Sequence, residues 1–305
     1  MSLLQAIVLG IVQGLTEFLP ISSTAHLLVV PWVFGWADPG AAFSAVIQCG
    51  TLLAVFAALR RDIAAIASGV IRGLFVGRPL ANPDARIGIL IVLGTLPIVA
   101  AGFTLREFVR GDARRIETVI GALVFTAVLM GAAELLALRR ARRGSAGRDG
   151  LEAVGFVDGI TMGFAQVLAL VPGTSRSGVT IASGIFTGLD RRTAARFSFL
   201  LSLPAISAAA LLEGWEQRAA IFGSREDTTA VLVGTTTAFA VGYATIRWLL
   251  SMLTRHTLWP FVIYRLLLAA ALGALLQGGL AGEKPGEAVV SGPTSPAAKH
   301  QSPAA

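Results

Sequence analysis

Six apolar stretches, at about 41–59, 87–105, 117–138, 197–212, 229–252 and 258–280, decide what this 305-residue chain can become. They are separated by short, arginine-rich loops, and a helix needs roughly 20 such residues to cross about 30 Å of hydrocarbon. With 54% hydrophobic and only 14% charged residues, the chain carries more apolar surface than a water-soluble domain can bury. Within hydrocarbon every backbone polar group must be satisfied internally, so the expected fold is an all-α polytopic membrane protein and not a barrel of short alternating strands. The formal charge of +7 does not call for nucleic acid, because the arginines flank apolar spans, where headgroups and topology account for them. Cys49 is the single cysteine, so neither a disulfide framework nor a thiolate metal site is expected.

Two further regions are apolar but broken. Residues 2–19 run into Pro20 and resume over 22–34; residues 153–171 run into Pro172 and Gly173 and resume over 175–189. Two short half-helices around a polar elbow describe a re-entrant hairpin, tolerated at membrane depth only where protein or water covers the elbow. The run Arg139-Arg140-Ala141-Arg142-Arg143, followed by Arg148, is the densest basic cluster, which places it on the cytoplasmic side. The loops 60–86, with Arg60, Arg61, Arg72 and Arg78, and 190–196, with Arg191, Arg192 and Arg196, then also fall inside. The acidic loop 213–228, with Glu213, Glu216, Glu226 and Asp227, falls outside; the loop from Gly35 to Gly40 holds Asp38 and no basic residue. The loop 106–116, carrying Arg106, Glu107, Arg110, Asp112, Arg114 and Arg115, lands outside against the charge rule.

Each half thus holds one hairpin and three crossings, and because three is odd the second half enters the membrane inverted. That predicts one membrane domain over 1–282, with repeats at about 1–138 and 153–280, six transmembrane helices and two re-entrant hairpins in an inverted repeat. The tail 283–305, dominated by Pro, Gly, Ser and Ala, is expected to be disordered. Residues 1–19 lack a basic leader and hold Gln13, Thr16 and Glu17, so they are expected to remain in the mature chain. Laying Gln13 over Gln166 sets Ser22 over Ser175 and Thr24 over Ser177, while Pro20 and Pro172 miss by one position. Hairpins entering from opposite faces can touch elbow to elbow, so two polar islands some 150 residues apart can form one site.

The second island is Pro172-Gly173-Thr174-Ser175-Arg176-Ser177-Gly178-Val179-Thr180. Hydroxyls, unpaired first-turn N–H groups and an arginine fork at a helix start make a phosphate cradle; the plainer alternative is a helix cap whose arginine meets a headgroup or an acid. Arg176 would neutralise the phosphoryl group and the leaving phosphate, and Thr180 would bond a phosphate oxygen or fix the arginine. In the first island Gln13 and Glu17, four apart, share a helix face. They are hard oxygen ligands suited to Mg²⁺ or Ca²⁺ shared with a phosphate, or else a packing pair satisfied by hydroxyls. Ser23 and His26, three apart, combine a hydroxyl with an imidazole, either as nucleophile and base or as an acid–base pair handling a water and a leaving group. His256 and His300 lack such company and take no role. A transporter or flippase for a phosphorylated lipid or anion is the rival reading, since hairpins in inverted repeats are transporter architecture.

Gln13-x-x-x-Glu17, Pro20-x-Ser22-Ser23-Thr24-x-His26 and the nonapeptide from Pro172 to Thr180 together resemble the two signature regions of the bacterial undecaprenyl-pyrophosphate phosphatases, the bacitracin-resistance family. The resemblance runs from the first hairpin to the last span. It implies a plasma (inner) membrane enzyme that removes the terminal phosphate of undecaprenyl diphosphate, recycling the carrier for cell-wall synthesis and conferring bacitracin resistance. It also implies a divalent metal, Mg²⁺ or Ca²⁺, and a site open to the outer, periplasmic face. Carried over by position, Gln13 and Glu17 match the acidic pair, and Ser23 and His26 match the catalytic hydroxyl and imidazole. Gly173, Thr174, Ser175, Arg176, Ser177 and Thr180 fall in the phosphate-binding loop. Gln13 stands where a second carboxylate is the alternative, which leaves Glu17 as the dominant metal ligand. Whether serine or water attacks, and whether the protein is a monomer or a homodimer, stay open at this level.

Overall fold

The structure, a computed structural model, describes residues 1–37, 40–77, 79–105, 115–216, 218 and 223–277. Asp38, Arg78, most of the 106–116 loop and the 283–305 tail, each named above, lie outside the described residues.

Among the described residues the chain is helical throughout, with one isolated bridge between Arg148 and Leu189 in place of any sheet. Helix α1 (Leu3–Thr16) starts from a reciprocal cap between Ser2 and Gln5, and α2 (Ser23–Val33) starts at Ser22, whose hydroxyl accepts from the Ala25 N–H. Helices α3 (Gly40–Ala58) and α4 (Arg60–Phe75) follow, and then α5 (Pro83–Thr104), which Asn82 caps with Pro83 in the first turn. Helix α6 (Ile116–Arg142) ends on Arg139, Arg140 and Arg142, cations that suit the negative end of its dipole. Next come α7 (Phe156–Val167), extended by a 3₁₀ turn over Leu168–Leu170, and α8 (Arg176–Thr187), closed by Gly188 in the left-handed region. Helices α9 (Arg191–Glu216), α10 (Arg225–Met252) and α11 (Trp259–Gln277) complete the chain.

Five of these, α5, α6, α9, α10 and α11, are long and apolar enough on their own to cross a membrane. A sixth crossing requires counting the pair Phe43–Ala58 and Arg60–Phe75 together, and that pair is bent by 76°. Two expected loops are helical. Residues 60–75 form α4, an amphipathic helix whose Gly69 and Gly73 are buried, and the basic segment 191–196 is the first turns of α9. Two arginines of the second segment are paired with neighbouring helices: Arg191 with Glu134 of α6, and Arg196 with Asp62 of α4.

Packing interleaves the two halves. Helix α1 crosses α10, α3 lies between α10 and α9, α5 packs on α7, α4 and α9, and α6 packs on α11 and α8. Small residues allow close crossings: a Cβ on Gly163 of α7 would stand 2.5 Å from the Gly94 Cα of α5. The main apolar cluster, which includes Phe18, Phe197, Phe199 and Leu200, surrounds the ends of the broken helices.

Candidate active site

The two elbows meet. Glu17, just past the end of α1, and Arg176, the first residue of α8, lie 159 positions apart in sequence, yet Arg176 Nη2 donates to Glu17 Oε1 at 2.6 Å. The other carboxylate oxygen, Oε2, accepts from Gln13 Nε2 at 3.0 Å and from Ser23 Oγ at 2.8 Å. Helical spacing explains the Gln13 contact, since positions four apart overlie one another. The Ser23 contact needs the chain to reverse at Pro20, which brings the start of α2 back beside the end of α1. Glu17 is 7% exposed, a burial that a carboxylate sustains only with such partners.

Among the described residues Glu17 is the one side chain that Arg176 bonds, and Arg176 lines a cavity of about 170 Å³ together with Glu17, Ser23, Thr24, Thr174 and Ser175. Ser175 caps α8, accepting from the Gly178 N–H at 3.1 Å, so the Arg176 and Ser177 backbone N–H groups are first-turn donors without an intrahelical acceptor. The Thr174 N–H is occupied in a turn onto the Val171 carbonyl at 3.0 Å. Gly173 adopts φ +92°, and a Cβ there would lie 2.6 Å from the Val119 carbonyl oxygen.

Two predicted loop residues face away from the cavity. Ser177 Oγ donates to the Leu19 carbonyl at 3.3 Å, tying one elbow to the other, which leaves Ser175 as the donor across their 3.0 Å contact. Thr180 Oγ1 lies 2.8 Å from the Arg176 carbonyl, as donor, and 2.6 Å from Ser198 Oγ of α9. His26 is also outside the cavity lining: its Nδ1 is 2.7 Å from the Ser22 carbonyl and its Nε2 is 2.6 Å from the Tyr264 hydroxyl. Ser23 and His26 share the start of α2 without a hydrogen bond between them.

Three residues of this region escape the motif reading. Gln48 of α3 lines the cavity. Tyr264 and Arg265 of α11 reach the elbows from the far end of the chain. Arg265, 0% exposed, donates to the carbonyls of Pro20 at 3.3 Å, Gly173 at 2.9 Å, Ala122 at 3.2 Å and Leu123 at 3.2 Å. A charged residue in the middle of an apolar span was the available signal for Arg265, and a lone amide in another was the signal for Gln48.

Among the described residues no group of three or more His, Cys, Asp or Glu side chains forms a metal cage. Glu17 accepts three hydrogen bonds, so of the roughly four lone-pair positions on a carboxylate about one is left for a cation. That donor set suits a cation held by one carboxylate with substrate phosphates completing its shell, a pattern familiar for Mg²⁺, better than it suits a resident ion.

Comparison with known proteins supplies the remaining constraint. The family profile described as bacitracin resistance protein BacA matches residues 6–271. A protein from Chlorobaculum tepidum named undecaprenyl-diphosphatase is 47% identical over 279 residues, covering 92% of this chain and 99% of its own length. Proteins of the same name from Chlorobium limicola and Chlorobaculum parvum are each 45% identical, with the same two coverages.

Proposed function

The chain belongs to the bacitracin resistance (BacA) family, and from that membership we infer its activity: it is a membrane phosphatase that hydrolyses undecaprenyl diphosphate to undecaprenyl phosphate and inorganic phosphate. The activity recycles the lipid carrier for cell-wall synthesis and confers bacitracin resistance. The observation that ties it to particular residues is the buried Glu17–Arg176 pair with the Ser23 hydroxyl on the same carboxylate, at the floor of a cavity between the two elbows.

In the mechanism we favour, the prenyl chain lies between helices and the diphosphate enters the cavity. Arg176 and the first-turn N–H groups of α8 hold the terminal phosphate, with Thr174 and Ser175 beside it and with Gly173, Ser177 and Thr180 fixing the loop. Glu17, with Gln13 next to it, would hold a Mg²⁺ or Ca²⁺ that arrives with the substrate; bound there, the cation offsets phosphate charge. The attacking oxygen is that of Ser23, whose hydroxyl donates to Glu17 at rest, or of a water, and we assign its proton to His26 through Nε2, which must first release the Tyr264 hydroxyl. Charge developing on the leaving phosphate is met by the guanidinium, which is fixed ahead of the reaction by its bond to Glu17.

The architecture we assign is six crossings, counting α3 with α4 as one, plus two re-entrant hairpins, α1–α2 and α7–α8, in an inverted repeat within one membrane domain. Three features support it. Offsetting the halves by 153 positions lays Gly10 on Gly163, both at close helix crossings, and Ser22 on Ser175, both N-caps bonded to the N–H three residues on. The crossing of α1 on α10 is matched by its repeat-related counterpart, α7 on α5, each joining one half to the other. Placement in the bacterial inner membrane with the site toward the periplasm is what the family resemblance implies; the arginine cluster at 139–148 supports a cytoplasmic position for that loop, and reporters fused near Ala141 and Gly223 would read opposite sides.

The deciding experiment is phosphate release from undecaprenyl diphosphate by the purified protein in detergent, with and without chelator. Turnover that is lost with EDTA and restored by Mg²⁺ or Ca²⁺ is expected. Ser23→Ala separates the two nucleophiles: loss of a trappable phosphoenzyme together with turnover assigns the serine, whereas retained turnover with water-derived oxygen in the released phosphate assigns water.

A further inference from the structure

We propose that Tyr264 is a positioning residue for the hydrolysis, its phenol donating to Nε2 of the His26 imidazole, which the Ser22 carbonyl keeps as the Nδ1–H tautomer, and so holding the ring in the orientation from which Nε2 takes up a proton. The inference rests on the assignment of His26 as the proton acceptor, and it deepens that assignment by adding a residue from the opposite end of the chain.

Ser22 is the one non-glycine residue with positive φ among the described residues, at +78°. Such a conformation is costly for a residue with a Cβ and persists only where the surroundings impose it. Here it turns the Ser22 carbonyl toward His26, where it accepts both the backbone N–H at 3.4 Å and the ring nitrogen Nδ1 at 2.7 Å. A carbonyl only accepts, so Nδ1 carries the hydrogen. In the neutral ring Nε2 then has the lone pair, and the Tyr264 O–H, 2.6 Å away, donates to it.

Packing reinforces the bond. The two rings stack at 5.7 Å between centroids with 11° between their planes, which holds the imidazole against rotation about its own axis. The next residue, Arg265, is anchored to the Pro20 and Gly173 carbonyls, so the backbone that presents Tyr264 is itself fixed to both elbows. A tyrosine 40% exposed on an apolar helix would ordinarily turn its hydroxyl toward water or headgroups. This one commits its single hydrogen to His26. The attacking group must displace the phenol from Nε2, so Tyr264 marks the direction from which His26 works.

The test uses the full-length protein in detergent with undecaprenyl diphosphate. Tyr264→Phe keeps the stacked ring and deletes the hydroxyl. Expected are a fall in kcat of about tenfold with KM within about twofold, an unchanged melting temperature, and a shift of the His26 ¹⁵Nε2 signal as its hydrogen bond is lost while Nδ1, still bonded to the Ser22 carbonyl, keeps its proton. In the residual activity of His26→Gln, adding Tyr264→Phe is expected to cost nothing further, because the hydroxyl acts only through the imidazole. A Tyr264→Phe enzyme with wild-type kcat, or one with raised KM and unchanged kcat, overturns the proposal, as does full additivity with His26→Gln. Wild-type turnover by His26→Gln alone would instead remove His26 from the site and the proposal with it.

Discussion

Glu17 accepts the three hydrogen bonds that organise the cavity floor, and each comes from a different stretch of the chain: Gln13 from α1, Ser23 from α2 and Arg176 from α8. A charge at this depth is expensive unless paired, which is why a lone glutamate in an apolar helix announces a partner from the sequence alone. The pair also explains why arginine, and not simply a cation, stands at 176. One Nη2–H is committed to Glu17, and a planar fork still has N–H groups to offer a phosphate, whereas an ammonium with one bond made has no fixed second edge. Arg176→Lys is therefore expected to lower kcat/KM for phosphate release by about 10²-fold, on the order of 3 kcal/mol, while leaving the protein folded. Steady-state assays alongside a detergent melt check both halves of that statement.

At the scale of elements, the broken helices matter because a break exposes polar backbone where a continuous helix would hide it. Proline and glycine at 172 and 173 end one helical segment, and Ser175 then caps a new one whose first residue, Arg176, lines the cavity. Gly173 is needed twice over, for its positive φ and for its contact with α6, where a Cβ would approach the Val119 carbonyl to 2.6 Å. Gly173→Ala should lose about 1–3 kcal/mol of stability and displace the Arg176 turn, visible as a lowered melting temperature accompanied by raised KM. The expectation that 60–86 and 190–196 are loops failed for a related reason: charge density in sequence does not distinguish a solvated loop from a helix end whose arginines reach a neighbouring helix. Arg196 with Asp62, and Arg191 with Glu134, are pairs between helices far apart in sequence, so no local window contains both members.

Over the whole molecule, α11 is the element that closes the site although it contributes nothing to either motif. Arg265 directs its guanidinium to four carbonyls, two from the elbows and two from α6, with no carboxylate partner among the described residues. Deleting it would leave the Pro20 and Gly173 carbonyls without that donor in a buried region, so Arg265→Met is expected to destabilise the fold by about 3 kcal/mol and to reduce turnover in step with stability. A melt and an activity assay on the same preparation test the coupling; lost activity at full stability would instead assign Arg265 to the chemistry. The sequence by itself determined the membrane class, the two broken helices and the need of Glu17 and Arg176 for partners, because hydropathy, helix-breaking residues and the cost of buried charge are properties of short windows and single residues; that the two pair with each other, 159 positions apart, was decided by the tertiary structure. Only the tertiary structure decided which side chains stand behind the motifs. Tyr264 at His26, Arg265 at both elbows and Ser198 at Thr180 are contacts between helices whose relative rotation is set by packing, and no spacing rule along one helix encodes what the next helix presents.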